Sequence, residues 1–137
     1  MDIEQQLVVF QLNDQQYALP IQDTQEIIRM ANVTRMPNTR YYVEGIINLR
    51  GNIVPVINLS KRLDLPVSDY SEATRIIVVE SGGQKVGMIV DNILEVGSYA
   101  ESEVEPPSVA GDNVDYLQGV VKKDNRLWLM LNLENVL

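Results

Sequence analysis

No cysteine and no histidine occur anywhere in this chain of 137 residues. The first absence excludes a disulfide framework, a thiol nucleophile and a cysteine-ligated zinc site. The second removes the commonest general base, the commonest metal ligand and any phosphohistidine chemistry. Basic residues are few: 11 Lys and Arg stand against 19 Asp and Glu, for a formal net charge of −8. A nucleic-acid binder needs a basic surface to displace counterions, and an anionic membrane surface repels an acidic chain. No nucleic acid and no direct membrane insertion are therefore expected. No apolar run approaches bilayer-spanning length, and the opening MDIEQQ lacks the basic and apolar regions of a signal peptide. The expectation is a cytoplasmic protein. Catalytic motifs are missing as well: there is no Gly-rich phosphate loop, no nucleophile elbow and no serine beside a base. Ser60, Ser81 and Ser98 sit in turn-like contexts, where serine is simply a good turn residue. No catalytic residue, metal ligand or cofactor is assigned, and the chain reads as no enzyme.

What the sequence does contain is a doubled pattern. Leu7-to-Ile27 lies over Ile76-to-Val96 without a gap, placing Val9 on Val78, Tyr17 on Val86, Leu19 on Met88, Ile21 on Val90 and Ile27 on Val96. Gly45-to-Leu63 lies over Gly119-to-Leu137 in the same way, placing Gly45 on Gly119, Asn58 on Asn132, Leu59 on Leu133 and Leu63 on Leu137. Few letters are identical, so pattern rather than identity is repeated. Agreement between the copies speaks for the fold, and disagreement marks places where function is free to differ.

Strand signals dominate both copies. Leu7–Leu12 and Tyr17–Pro20 flank Asn13-Asp14. Ile46–Leu49 and Ile53–Ile57 flank Gly51-Asn52. Arg75–Glu80 and Lys85–Val90 flank Ser81-Gly82-Gly83, and Tyr116–Val121 and Arg126–Asn132 flank Asp124-Asn125. Each pattern predicts a hairpin. Asp23 and Thr24 are good N-cap residues and predict a short helix over Gln25–Arg29. Ser60–Leu63 reads as one helical turn. Val67–Thr74 and Ser98–Val114 read as linkers, the second an exposed acidic loop with Pro106-Pro107. Many short strands with tight turns predict an all-β fold of sandwich or barrel type. A small barrel alone has a marginal core, so two packed modules sharing one core are expected. They form a single domain over residues 1–137, with approximate subdomains 14–66 and 76–137 and possible strand exchange at the seam.

Glu26 and Glu95 occupy equivalent positions of the repeat. Two such acids can meet across a pseudo-dyad and share a proton or a metal, but solvated or capping roles are favoured. The Glu101–Glu105 loop lacks the ligand pattern and central glycine of a calcium loop. Trp128, in an apolar strand, is expected in a core or at the seam between modules. Tyr41-Tyr42 is either an exposed contact site or a lid over the end of a module. One turn differs between the copies: Asn48–Asn52 carries Arg50-Gly51, whereas the second copy reads Lys122–Arg126 around Asp124-Asn125. Arginine offers a rigid donor fork for carboxylates and carbonyls of a partner. Gly51 either admits a close partner backbone or supplies positive φ. On spacing alone, Arg50 is a solvated hairpin tip.

Gly45 through Leu59 (GIINLRGNIVPVINL) resembles the signature segment of the CheW family of bacterial chemotaxis coupling proteins. The similarity extends upstream through Phe10, Tyr17-Ala18, Ile21, Gln25-Glu26-Ile27 and Pro37. Downstream it takes in Val86–Asp91, Gly119-Val120 and Leu131-Asn132-Leu133, so it spans nearly the whole chain. The resemblance implies two small five-stranded β-barrels on a shared hydrophobic core. It implies a non-enzymatic adaptor, a monomer when free, that joins the regulatory domain of the CheA histidine kinase to the cytoplasmic tip of methyl-accepting chemoreceptors. That kinase domain is similar to CheW, so the two can alternate in rings beneath a receptor array. Carried onto this sequence, receptor contact is expected at Arg50, Gly51, Glu26 and Thr24, and kinase contact at Val8, Ile21 and Ile27. Core burial competes as the role of both isoleucines, above all Ile27. The single-domain length is unlike CheV, whose coupling domain is fused to a receiver. The alternatives are an adaptor of a parallel pathway such as twitching motility and, in another class, a small-ligand or metal-binding β-barrel.

Overall fold

Apolar runs such as Leu7–Phe10 and Ile76–Val79 have no polar alternation, so strands built from them must be covered on both faces. The computed structural model, which describes residues 4–110 and 114–137, shows how. The chain forms β1 (Gln5–Leu12), β2 (Gln15–Pro20), β3 (Thr24–Arg29), β4 (Val43–Leu49) and β5 (Asn52–Asn58), then the one-turn helix α1 (Leu59–Arg62). It continues with β6 (Arg75–Ser81), β7 (Gln84–Val90), β8 (Asn92–Tyr99), β9 (Val104–Glu105), β10 (Leu117–Lys123), β11 (Arg126–Leu131) and α2 (Leu133–Val136). The strands build a six-stranded sheet, ordered β8-β1-β2-β11-β10-β9, and a five-stranded sheet, ordered β3-β6-β7-β5-β4.

The two copies have exchanged hairpins. Hairpin β1–β2 of the first copy lies among β8, β10 and β11 of the second, and hairpin β6–β7 of the second lies among β3, β4 and β5 of the first. The junctions are parallel and equivalent: Ala18 pairs with Met130, and its image Gly87 pairs with Val56, the image of Met130. The sheets therefore do not follow a division at 14–66 and 76–137. One takes residues 5–20 and 92–131, the other strands between 24 and 90.

Each sheet wraps a core of its own. Leu7, Val9, Ala18, Tyr99, Val121, Trp128 and Met130 fill the first, and Ile47, Leu49, Val54, Val56, Ile76, Val78 and Ile89 the second. A third cluster is shared, drawing Phe10, Leu12, Tyr17 and Leu19 from one sheet and Ile57, Ile77, Val79, Met88 and Val90 from the other. Trp128 is buried in the first sheet's core, where its Nε1 donates to Gln16 Oε1 at 3.1 Å.

Three expectations need correction. The sheets are not closed barrels: β8 and β9 remain edges of one hydrogen-bonded ladder, β3 and β4 of the other. One edge strand of each ladder is held by an arginine side chain instead. Arg50 at the β4–β5 turn reaches Glu26 on β3, and Arg126 on β11 reaches Glu95 on β8. Gly97 on β8 lies against the indole of Trp128, where an added Cβ would collide with the ring. Second, Asp23 and Thr24 cap no helix. Ile21–Asp23 make one 3-10 turn, and Thr24–Arg29 pair with β6 through Ile27↔Ile77 and Ile28↔Ile76. A full ladder with a partner strand outweighs two cap preferences, and adjacent isoleucines suit a pleated surface. Third, Ser98–Val114 is no plain linker, although residues 111–113 lie outside the described part. It supplies the end of β8 and the edge strand β9, and Glu103 Oε1 accepts from the Ala100 amide (2.8 Å) and from Lys123 Nζ (3.1 Å).

Candidate interaction surface

The β4–β5 turn has two central residues, Arg50 and Gly51, with φ of 51° and 86°. A two-residue hairpin of the I′ kind requires positive φ at both, because only that twist matches the strands it joins. Gly51 meets the requirement without strain, and nothing lies within 4 Å of where its Cβ would be. Its amide donates to Asn48 Oδ1 at 2.8 Å. Arg50 is the exception. The other non-glycine residues at positive φ among those described are Asn13, Asn38, Asp64 and Asp124, types whose short polar side chains tolerate that conformation. An arginine there is a backbone outlier that the turn does not require, since asparagine meets the turn's conformation more readily.

The Arg50 side chain extends to β3, where Nη2 donates to Glu26 Oε2 at 2.7 Å. That hydrogen bond, and then the carboxylate's charge, raise the guanidinium above its ordinary value, so it remains a cation throughout. Burial alternates along β3: Thr24, Glu26 and Ile28 turn inward, Gln25, Ile27 and Arg29 outward. Glu26 Oε1 and Thr24 Oγ1 are both buried, and neither has a hydrogen-bond partner among the described residues. Buried polar atoms of this kind carry a cost that a donor from outside would remove.

Arg50, Gly51, Glu26 and Thr24 thus gather at one rim of the five-stranded sheet. Ile27 is 39% exposed on the outer face of β3, and Ile21, in the preceding 3-10 turn, is 40% exposed. Core burial is therefore not the role of either. Val8 differs. It is only 2% exposed and shares the face of β1 that carries Phe10 and Leu12 into the common core, so its side chain is not available to a partner. Ile53, 64% exposed just after the turn, escaped sequence reading because a β-branched residue in a strand looks like core.

The pseudo-symmetry repeats this arrangement. Glu95 pairs with Arg126 at 2.6 Å rather than with Glu26, so the two acids share neither proton nor metal. Val96 and Leu127, the images of Ile27 and Ile53, are likewise exposed. Carrying the alignment from the glutamates to their neighbours would have found this second rim. Of the tyrosine pair, Tyr41 is exposed with its hydroxyl bonded to Lys61 O and Asp64 Oδ1, while Tyr42 lies beneath Arg62. No group of three or more potential metal-ligating side chains occurs among the described residues, and none of their helices is long and apolar enough to cross a membrane.

Comparison with known proteins fits this geometry. A family model described as the CheW-like domain matches residues 6–137. The chemotaxis protein CheW of Bacillus subtilis is 36% identical over 135 residues, covering 97% of this chain and 86% of its own. That of Thermotoga maritima is 31% identical, covering 98% and 88%. The crystal structure of the scaffolding protein TtCheW from Thermoanaerobacter tengcongensis superposes with a TM-score of 0.89 at 39% identity, over 96% of this chain and 86% of that one. The chain belongs to the CheW-like family, the non-enzymatic scaffold proteins of bacterial chemotaxis.

Proposed function

We propose that this protein couples chemoreceptors to the CheA histidine kinase, holding the kinase's regulatory domain and the receptor's cytoplasmic tip in one assembly. It works in the cytoplasm, is a monomer when free, and reaches the membrane only through its partners. The receptor tip meets the Arg50–Gly51 turn with Glu26 and Thr24. The kinase domain meets the apolar surface of Ile21 and Ile27. The observation that carries this reading is Arg50 itself: an arginine in a backbone conformation that, among the described residues, is otherwise held by Gly, Asn and Asp, beside two buried oxygens with no hydrogen-bond partner among those residues. A strained residue that the turn does not need is best explained by what its side chain holds, Glu26 within the chain and, on this proposal, the receptor.

The mechanism is one of geometry and small energies. A contact of ordinary size buries roughly 1,600 Å² in total, with affinity concentrated in a few residues. The coupling such a scaffold transmits is about 1–3 kcal/mol between kinase-on and kinase-off arrangements. Titration calorimetry with the kinase regulatory domain and with a receptor-tip fragment tests the assignment. Both bind the native chain, and Arg50→Glu weakens chiefly the receptor. The double exchange Arg50→Glu with Glu26→Arg restores the intramolecular ion pair but not receptor affinity. Binding of neither partner by the native chain refutes the proposal. Recovery of receptor affinity in the exchanged pair removes Arg50 from the receptor contact and leaves it a structural clasp.

A further inference from the structure

The last pair of the β3–β6 ladder sets Arg29 directly opposite Arg75. Side chains so paired leave the same face of the sheet with their Cβ atoms roughly 4.5–5.5 Å apart, and like charges there are destabilising. Neither guanidinium has an ion-pair partner among the described residues. The fold does not ask for this pair. The constant offset of the first alignment makes Ser98 the image of Arg29 and Gln6 the image of Arg75, and those two residues face each other in the β1–β8 ladder. The same ladder position is therefore neutral in one copy and doubly cationic in the other, within a chain of formal net charge −8.

Both arginines line a cleft of about 470 Å³ with Met30, Ser71, Glu72 and Thr74. Its walls are fixed from behind. Met30 packs against the core of the five-stranded sheet. On the other side the Ser71 amide donates to Thr74 Oγ1 at 2.8 Å and the Ala73 amide to Ser71 Oγ at 3.1 Å. Arg75 Nη1 donates to Glu72 O at 2.7 Å and to Thr74 O at 2.9 Å, which anchors the guanidinium through one of its nitrogens. Arg29 is exposed and makes no hydrogen bond or ion pair among the described residues. Glu72 is the one acid lining the cleft, and its carboxylate pairs with neither arginine. Counting all three charged side chains, the cleft is left with one net positive charge.

We infer that Arg29 and Arg75 form a carboxylate clamp, which docks a glutamate or aspartate side chain on the surface of a partner protein. Two guanidinium forks suit a planar carboxylate, and an anion placed between them turns the cross-strand repulsion into attraction. Three observations favour a protein side chain over a free anion. The cleft is large beside a single carboxylate, its wall includes the apolar Met30, and Ile27 lies exposed on the same outer face of β3. The net charge of the chain also repels small polyanions at a distance. The clamp adjoins the Ile21–Ile27 surface, but it stands whether or not the kinase binds there.

The probe is the capped dipeptide acetyl-Glu-Leu-amide, titrated by NMR into the isotope-labelled full chain. Acetyl-Gln-Leu-amide, succinate and inorganic phosphate are the comparisons, all at equal ionic strength. The expected result is saturable shifts of the Met30, Thr74 and Arg75 amides and of the Arg29 side-chain Nε–H with the glutamyl peptide. Binding is about tenfold weaker for the glutaminyl peptide, and equally so for the glutamyl peptide on Arg29→Gln. Succinate and phosphate bind more weakly than the glutamyl peptide. Arg29→Gln leaves Tm unchanged or raises it, because it removes a like-charge pair and no bond. No saturable shift with the glutamyl peptide, equal binding of the two peptides, or undiminished binding by Arg29→Gln overturns the inference. Tighter binding of succinate or phosphate overturns it in favour of a free-anion site, and a lower Tm for Arg29→Gln makes the pair a part of the fold instead.

Discussion

Arg62 joins the two halves, and removing it should unlatch one from the other. From α1 its Nε donates to Val136 O at 2.7 Å and its Nη2 to Asn135 O at 3.1 Å, both carbonyls at the end of α2. Its Nη1 donates to the Tyr116 hydroxyl at 2.8 Å. The guanidinium carbon also sits 5.0 Å from the ring centre of Tyr42 and 4.8 Å from that of Tyr116, residues that are images of each other. Three charge-assisted hydrogen bonds and two cation–π contacts, discounted for partial exposure, give an expected loss of about 2–4 kcal/mol for Arg62→Ala. For a chain of this size that lowers Tm by about 8–15 °C. Urea titration should show a reduced midpoint with an unchanged slope. The amides of Val136 and Leu137, bonded to Asn132 O and Leu133 O, should lose exchange protection ahead of the sheets. Arg62→Lys should recover less than half of the loss, since an ammonium cannot reproduce the fork. A loss below about 1 kcal/mol, or full rescue by lysine, would refute the latch and reduce Arg62 to a surface charge.

Gly97→Ala drives a methyl group into the Trp128 ring and should cost about 1–3 kcal/mol, with a red-shifted tryptophan emission as the check. Arg50→Asn relieves the backbone conformation and should leave Tm unchanged or raised while receptor affinity falls; a lower Tm would mean that the arginine serves the fold. Glu103 is held below its ordinary range by the Ala100 amide and then by Lys123. Its contribution is present above the unfolded value and lost as pH falls through the lowered one, so Glu103→Gln should flatten the acid limb of a Tm-against-pH curve. Burial raises the phenols of Tyr17, Tyr70 and Tyr99, and the bond to Asp64 raises that of Tyr41. Raised folded values give stability that is complete below the unfolded value near 10 and declines as pH climbs past it. Spectrophotometric titration should therefore find the phenols of Tyr17, Tyr70 and Tyr99 ionising late, and that of the exposed Tyr41 late but without unfolding.

Much of the fold was legible because the signals were local. Turn pairs such as Asn13-Asp14 and Gly82-Gly83 mark hairpins whatever lies around them, and Asn58 and Asn132 cap their helices by the same bond. Exchange at the seam was legible only as a possibility, and which hairpins exchange was not, since β1–β2 and β6–β7 have equivalent patterns and either suits either sheet. Segment Thr24–Arg29 was misread because cap residues announce a helix locally, whereas pairing with β6 is a long-range gain. Val8 and Ile27 show the limit for the site. Both are β-branched residues in strands, and which of them is exposed depends on the neighbouring sheet rather than on residue type. Arg50 was singled out by a difference between the copies, a signal that needs no structure. Its positive φ and the orphaned oxygens beside it needed coordinates.

The hairpin exchange also bears on how the chain is made. As a nascent polypeptide leaves the ribosome, β1–β2 must wait for β8, β10 and β11 before its sheet exists, and the five-stranded sheet must wait for β6–β7 before its two flanks are joined. Neither half can act as an early, self-sufficient folding unit, and contacts of long sequence separation set the rate. The architecture is that of two intertwined protomers fused into one polypeptide. Cutting the chain between α1 and β6 should therefore give fragments that remain unstructured apart and fold when mixed.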